Sequence, residues 1–321
     1  MKKVLITGIT GQDGLFLARH LLETNPKIEI FGTSRNKNNN NFYKNLEILK
    51  IKNYEKIKLT DVDLLDYRSV NNLIKDITPD AVYNLTGPSS VYESITNPRI
   101  ANQIEQIFNN LINSLIEEKN FCKFFQSSSS EMFGPSDYKL NENSYFSPNS
   151  PYSFAKLNNH FKVSELRENY DWEVYSGIMF NHESEFRTND FLIMKIIDGA
   201  LNIKNKKTNL LTIGSLEIVR DWSYAGDIVE AMQAILQGGI EFDYIIASGK
   251  SHRIKYVIEF VFSYLELNWV DYLNVDNSLL RDGDFSHREA DISKILNHTN
   301  WKPKTSIDQF LEKIIKFKMS F

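Results

Sequence analysis

Tyr152 and Lys156 stand four residues apart in a helical pattern, so a phenol and an ammonium share one helix face. A free tyrosine titrates near ~10, too high for a base at neutral pH. A neighbouring cation favours the phenolate. Tyr152 can then take a hydroxyl proton while hydride leaves the same carbon. Upstream, a β-rich run ends in Ser127, Ser128, Ser129 and Ser130. A hydroxyl at such a strand end can hydrogen-bond a substrate oxygen beside Tyr152. Glu131 comes next, and it is informative because alcohol oxidation needs no carboxylate. Elimination does: beside a new ketone the adjacent C–H becomes acidic, and a carboxylate can remove it and help expel water. The spacing fits a helix-capping or salt-bridging Glu131 equally well.

Hydride needs an acceptor, and the start of the chain offers a place for one. A β-rich run over 4–7 leads into Gly8, Ile9, Thr10, Gly11, Gln12, Asp13 and Gly14, a GxxGxxG spacing ahead of a helical pattern. Gly8 permits the tight turn, Gly11 lets the backbone approach a pyrophosphate at the helix N-terminus, and Gly14 lets the helix pack closely on the sheet. An ordinary strand–helix turn is the plain alternative; the alternating context favours a nicotinamide dinucleotide. An NAD site places an acid about 20 residues past the glycines, at the ribose 2′-hydroxyl. Here the second run ends in Gly32, Thr33, Ser34 and Arg35, with Lys37 beyond and no acid. Cations suit a 2′-phosphate, so the cofactor reads as NADP. Asp63 and Leu64 are placed to flank the adenine, although Asp63 equally suits a helix cap.

Positioning these groups requires a scaffold, and the pattern predicts one. Strands are expected over 4–7, 28–33, 57–60, 81–84, 123–127 and 173–180. Helices are expected over 15–23, 68–77, 100–118 and 153–170. That alternation predicts an α/β, doubly wound (Rossmann) parallel sheet. Past Asn181 the pattern weakens, with helices over 191–202, 228–237 and 307–317 and strands over 211–213 and 244–247. The reading is a cofactor-binding domain over 1–181 and a smaller C-terminal lobe over 182–321, with later segments returning to the first domain. The asparagine run 38–41 reads as a solvated loop. The 321 residues are 42% hydrophobic, enough for a sizeable core, and the net charge of −4 leaves no basic footprint for nucleic acid. No run reaches the about 18 apolar residues of a membrane span, and the apolar start is too short for a signal peptide. The single Cys122 fits a reducing cytoplasm, and the six histidines lack ligand spacing, so no metal is expected.

These residues together resemble the extended short-chain dehydrogenase/reductase family and, within it, the GDP-mannose 4,6-dehydratases. The resemblance covers nearly the whole chain. It rests on LITGITGQDG (5–14), DAVYNL (80–85), QSSSSEMFG (126–134), SPYSFAK (150–156), FNHES (180–184), RDW (220–222) with GDIVEAM (226–232), and NWKP (300–303). The resemblance implies a catalytic set of Ser129, Glu131, Tyr152 and Lys156. For NADP it implies Gly8, Thr10, Gly11, Gln12, Asp13, Arg35, Asp63 and Leu64, then Leu85, Thr86, Gly87 and Ser89, and finally His182 and Arg187. Ser89, Asn181, Arg220 and Arg281 would face a nucleotide sugar, the arginines suiting its diphosphate. The implied activity is conversion of GDP-mannose or a related nucleotide hexose to a 4-keto-6-deoxy sugar. The alternatives are a keto-sugar reductase, epimerase or decarboxylase on the same scaffold, or a non-catalytic dinucleotide-binding protein. A homodimer or homotetramer is implied, pairing the helices over 100–118 and 153–170. The chain departs from the family's pattern at Ser129 (threonine there), at Pro88, in the loop Glu185–Phe186–Arg187–Thr188, and at Ile100.

Overall fold

A computed structural model describes residues 1–36, 39–136, 138–280 and 287–320. Its strands are β1 (Lys3–Thr7), β2 (Glu29–Ser34), β3 (Ile57–Asp61), β4 (Ala81–Asn84), β5 (Lys123–Ser129), β6 (Lys139–Leu140), β7 (Val174–Met179), β8 (Asn181–Glu183), β9 (Leu211–Ile213), β10 (Val219–Tyr224), β11 (Asp243–Ile246), β12 (Ser251–Arg253), β13 (Leu273–Val275) and β14 (Glu289–Ala290). The helices are α1 (Gln12–Thr24), α2 (Asn40–Ile48), α3 (Tyr67–Ile77), α4 (Val91–Thr96), α5 (Arg99–Glu117), α6 (Pro151–Tyr170), α7 (Leu192–Lys204), α8 (Ala225–Gly238), α9 (Ile254–Tyr264), α10 (Ser293–His298) and α11 (Ile307–Met319).

Seven strands form one parallel sheet in the order β11-β7-β5-β4-β1-β2-β3. Both faces are buried, and the period of two along each strand explains how. Val4, Ala81, Tyr83, Phe125 and Tyr175 enter one core with α1 and α8. Their neighbours Leu5, Val82, Phe124 and Val174 enter the opposite core with α3, α5 and α6. A third core gathers α7, α9 and α11 around Trp222. Strand order reverses at β1, with β2 on one side and β4 on the other. The loops after β1 and β4 therefore open a crevice at the carboxyl ends of the strands. Residues 225–246 (α8 and β11) return to the main sheet.

Several local expectations change. Helix α1 begins at Gln12 rather than 15, so Gly14 lies inside it. A Cβ on Gly14 would fall 2.4 Å from the Ile9 Cα, and Gly8 holds φ +69°. The asparagine run is not wholly a loop: Asn39 caps α2 through the Phe42 amide, and Asn40 and Asn41 open that helix. Phe42 and Leu46, one turn apart, bury into the sheet core and hold it there. Short α4 was also not expected. On α5 the apolar stripe Ile104, Ile107, Phe108, Leu111, Ile112 and Leu115 is buried within the chain, so its width does not call for a second copy. Phe154 and Phe161 on α6 stay exposed. Among the described residues no helix is long and apolar enough to cross a membrane.

The close approach at Gly14 generates a test. Gly14→Ala drives a methyl into Ile9 and Gly8 backbone that cannot give way, so urea denaturation is expected to show a loss of about 3 kcal/mol.

Candidate active site

The glycine turn is shaped by its neighbours. The Gly8 amide donates to Thr33 Oγ1 at 3.3 Å. Thr7 Oγ1 accepts the amides of Leu85 (3.1 Å) and Thr86 (3.2 Å), which lays the loop after β4 beside the turn. Thr86 Oγ1 is buried without a hydrogen-bond partner. Gly11 caps α1 with no side-chain acceptor, and a Cβ there would meet nothing nearer than the Gly8 carbonyl oxygen at 3.4 Å. Uncapped first-turn amides, an unpaired hydroxyl and open space over Gly11 fit the pyrophosphate of a dinucleotide. Gly87 completes this loop at φ +154°, Thr10 and Leu85 are half-buried, and Ser89 is exposed.

Helix α6 carries the second group of residues. Ser150 and Ser153 form a reciprocal capping box, with Pro151 in the first turn. Tyr152 follows directly, its amide donating to Ser94 Oγ of α4 at 3.2 Å. Tyr152 is 8% exposed and Lys156 6%. Lys156 Nζ donates to the Ser127 carbonyl at 2.7 Å and lies 5.8 Å from the centre of the Tyr152 ring. Ser129, ending β5, accepts the Glu131 amide at 3.2 Å, and its hydroxyl lies near enough to the Tyr152 phenol to favour the phenolate. Burial pushes the Tyr152 phenol up to about 12; the Ser129 hydroxyl opposes this and the Glu131 charge adds to it. Burial likewise pushes the Lys156 ammonium down to about 8.

Glu131 is the second residue of the short turn Ser130–Phe133 after β5 and forms an ion pair with Arg288 Nη1. The salt-bridging reading of Glu131 is thus the one that this ion pair shows. On the other side, Asp13 and His182 lock the glycine turn to β8. His182 Nε2 lies 3.0 Å from Asp13 Oδ2, and Nδ1 lies 2.7 Å from the Phe180 carbonyl. Both ring nitrogens face acceptors, so only the imidazolium satisfies both. Burial would raise the Asp13 carboxyl, but His182 overcomes it and holds it at about 2; burial lowers His182, and Asp13 reverses that into a net rise. Gln12 joins the lock through Ser184 Oγ (2.7 Å) and the His182 carbonyl (3.3 Å). Glu183, pushed up to about 7 by burial against the opposing Arg187 charge, lies 3.4 Å from Arg187 Nε.

The remaining predicted residues fall in three groups. Asn181 is half-buried at the start of β8, and Arg220 is buried in β10 beside it. Arg35 and Asp63 are exposed just past β2 and β3, Asp63 accepting the Leu65 amide at 3.0 Å, while Leu64 is buried in the α3–α5 core. Arg281 and Lys37 lie outside the described residues. Sequence reasoning missed Arg288, Ser94 and the relay from Thr7 to Gln126. None of these sits in a recognisable spacing, whereas Glu183 stood in the FNHES string.

The sequence profile of GDP-mannose 4,6 dehydratase matches residues 5–314. GDP-mannose 4,6 dehydratase 2 of Arabidopsis thaliana is 34% identical over 322 residues, covering 98% of this chain and 86% of that protein. In fold, the chain matches dTDP-glucose 4,6-dehydratase from Bacillus anthracis in complex with NAD, with a TM-score of 0.85 at 18% identity over 100% of this chain and 97% of that one. RMD from Pseudomonas aeruginosa, complexed with NADPH, matches with a TM-score of 0.82 at 22% identity over 100% and 99%.

The buried ammonium has a consequence for stability. Its folded value of about 8 lies below its ordinary 10.5, so between those values the unfolded chain binds more protons and stability rises with pH. Below pH 8 the whole cost is present, about 3 kcal/mol. Lys156→Met removes it together with a hydrogen bond worth about 1 kcal/mol. Thermal unfolding at pH 7 is expected to show the variant more stable by about 2 kcal/mol, with the gap closing as pH rises toward 10.

Proposed function

The chain belongs to the GDP-mannose 4,6-dehydratase family, and from that premise we propose that it converts GDP-mannose to the 4-keto-6-deoxy sugar with tightly bound NADP. One observation carries the reading: Glu131, a carboxylate that simple oxidation does not need, stands with Ser129 and Tyr152 at the end of β5.

A bound nicotinamide would supply the hydride store that oxidation at C4 and reduction at C6 require. Tyr152 takes the O4 proton, with Ser129 holding that oxygen in line. A phenol at about 12 is a poor base alone; the Lys156 charge beside its ring favours the phenolate. Glu131 then removes the C5 proton. The released electron pair forms the C5–C6 double bond, the C6–O6 bond breaks, and Glu131 protonates O6 so that water leaves. A proton added at C5 balances the one taken from O4. The net change is loss of one water, with the cofactor regenerated.

Residues 1–181 read as the cofactor-binding part and 182–321 mainly as the nucleotide-sugar lobe. The uncapped turn at Gly8–Gln12 and the unpaired Thr86 hydroxyl support the pyrophosphate site. Asp13 and His182 act there as a brace between turn and β8, with Arg187 adding positive charge. Asn181 and Arg220, on the neighbouring strands β8 and β10 and two residues out of register, support a diphosphate site. Exposed Phe154 and Phe161 support pairing of two chains through α6.

Arg35 supports NADP, because a cation rather than a carboxylate follows β2. Arg35→Glu replaces attraction to the 2′-phosphate with repulsion. Titrations with both cofactors are expected to show NADP binding weakened far more than NAD; equal losses would refute the assignment.

Oxidation and elimination use different residues and can be separated. Glu131→Gln removes the base and is expected to slow water loss about 10²–10⁴-fold. With GDP-mannose it should still accumulate reduced cofactor, visible in the near ultraviolet. Tyr152→Phe should yield no reduced cofactor at all. Mass spectrometry showing wild-type dehydration by Glu131→Gln would overturn the mechanism.

A further inference from the structure

We infer that Arg288 is a positioning residue for elimination, holding Glu131 in the orientation from which it removes the C5 proton; this rests on the reading of Glu131 as that base. Arg288 Nη1 pairs with Glu131 Oε1. The arginine is 4% exposed, and its Nε is buried without a hydrogen-bond partner. Glu131 is half-buried; an ion pair with one partner buried adds little net stability over apolar side chains of the same size, and the unpaired Nε–H of Arg288 is a further cost. Stability alone therefore does not account for this arginine.

The backbone around the pair shows how the guanidinium is aimed. Arg288 bridges to Arg220 of β10, its amide 3.4 Å from the Val219 carbonyl, and Ser251 Oγ donates to its carbonyl at 3.1 Å. On the other side β14 pairs with β6, and His287 bridges to Ser136 in the segment that follows the Glu131 turn. The two ends of the ion pair thus hang from one interlocked backbone. Glu131 is anchored locally by its amide on Ser129 Oγ. With Oε1 held by Arg288, Oε2 is the oxygen directed to proton transfer. A carboxylate without this clamp rotates about its side-chain bonds, and misplacement by about 1 Å can cost on the order of 100-fold in rate.

The test follows both half-reactions with GDP-mannose in the NADP-loaded enzyme: reduced cofactor by absorbance and water loss by mass spectrometry. Arg288→Met is expected to form reduced cofactor at near the wild-type rate and to lose water about 100-fold more slowly. Arg288→Lys, which keeps the charge but not the fork, should recover part of that loss. Added to Glu131→Gln, Arg288→Met should cause no further slowing, because it acts only through Glu131. The inference is overturned by wild-type water loss in Arg288→Met, by equal losses in both half-reactions, or by the full Arg288→Met loss persisting on the Glu131→Gln background. If Arg288→Met does not fold, Arg288→Lys decides: slowed water loss with intact oxidation supports the inference, and proportional loss of both sinks it. A Glu131→Gln enzyme that dehydrates normally removes the underlying reading; one that is slow beside an unimpaired Arg288→Met removes only the role of Arg288.

Discussion

A single line of buried hydrogen bonds crosses the carboxyl ends of three strands, and the site depends on it. Thr7 Oγ1 donates to Asn84 Oδ1 at 2.9 Å, Asn84 Nδ2 to Gln126 Oε1 at 2.8 Å, and Gln126 Nε2 to the Ser127 carbonyl at 3.1 Å. Lys156 Nζ ends the line on that same carbonyl. In a low-dielectric interior such bonds are costly to leave unmade, so each member fixes the next. Thr7 also gathers the Leu85 and Thr86 amides, so the glycine turn, the loop after β4 and Lys156 are tied to one hydrogen-bonded line.

Around that line the protein concentrates charge where burial opposes it. The Lys156 ammonium is destabilised by its surroundings, and the Tyr152 phenol is held in its neutral form. The first burdens the resting fold at neutral pH, while the second costs nothing there, because the phenol is neutral folded or unfolded, and instead opposes the phenolate. Asp13 and His182 solve the same problem by pairing, and Glu131 with Arg288 does so beyond the end of β5. Shifted and paired charges thus gather at one end of the sheet, as they do at functional sites.

The sheet makes this concentration possible. Parallel strands point all their carboxyl ends the same way, so the polar side chains Thr7, Asn84 and Ser129 at those ends are brought to one edge of the sheet. The return of α8 and β11 to the sheet after β8 matters for the same reason. It carries the chain out through Asn181–Glu183 and back, so β8 and β10 run side by side over the crevice.

Local spacing determined a great deal of this. The continuous apolar runs in KVLIT and DAVYN mark strands buried on both faces, GxxGxxG marks a turn that needs glycine at Gly8 and Gly14, and Tyr152 with Lys156 must share a helix face. Each of these is set within a few residues, where covalent geometry decides. The helix at 40–48 escaped because asparagine is a poor helix former; burial of Phe42 and Leu46 against the sheet overrides that preference. What only the tertiary structure decided are pairings between distant segments: Tyr152 on Ser94, His182 on Asp13, and Glu131 on an arginine 157 residues along the chain. Nothing in the spacing around Arg288 marks it, because its partner is chosen by the pairing of β6 with β14 and of Arg288 with Arg220. Periodicity carries no information about which distant strand will supply a counter-charge.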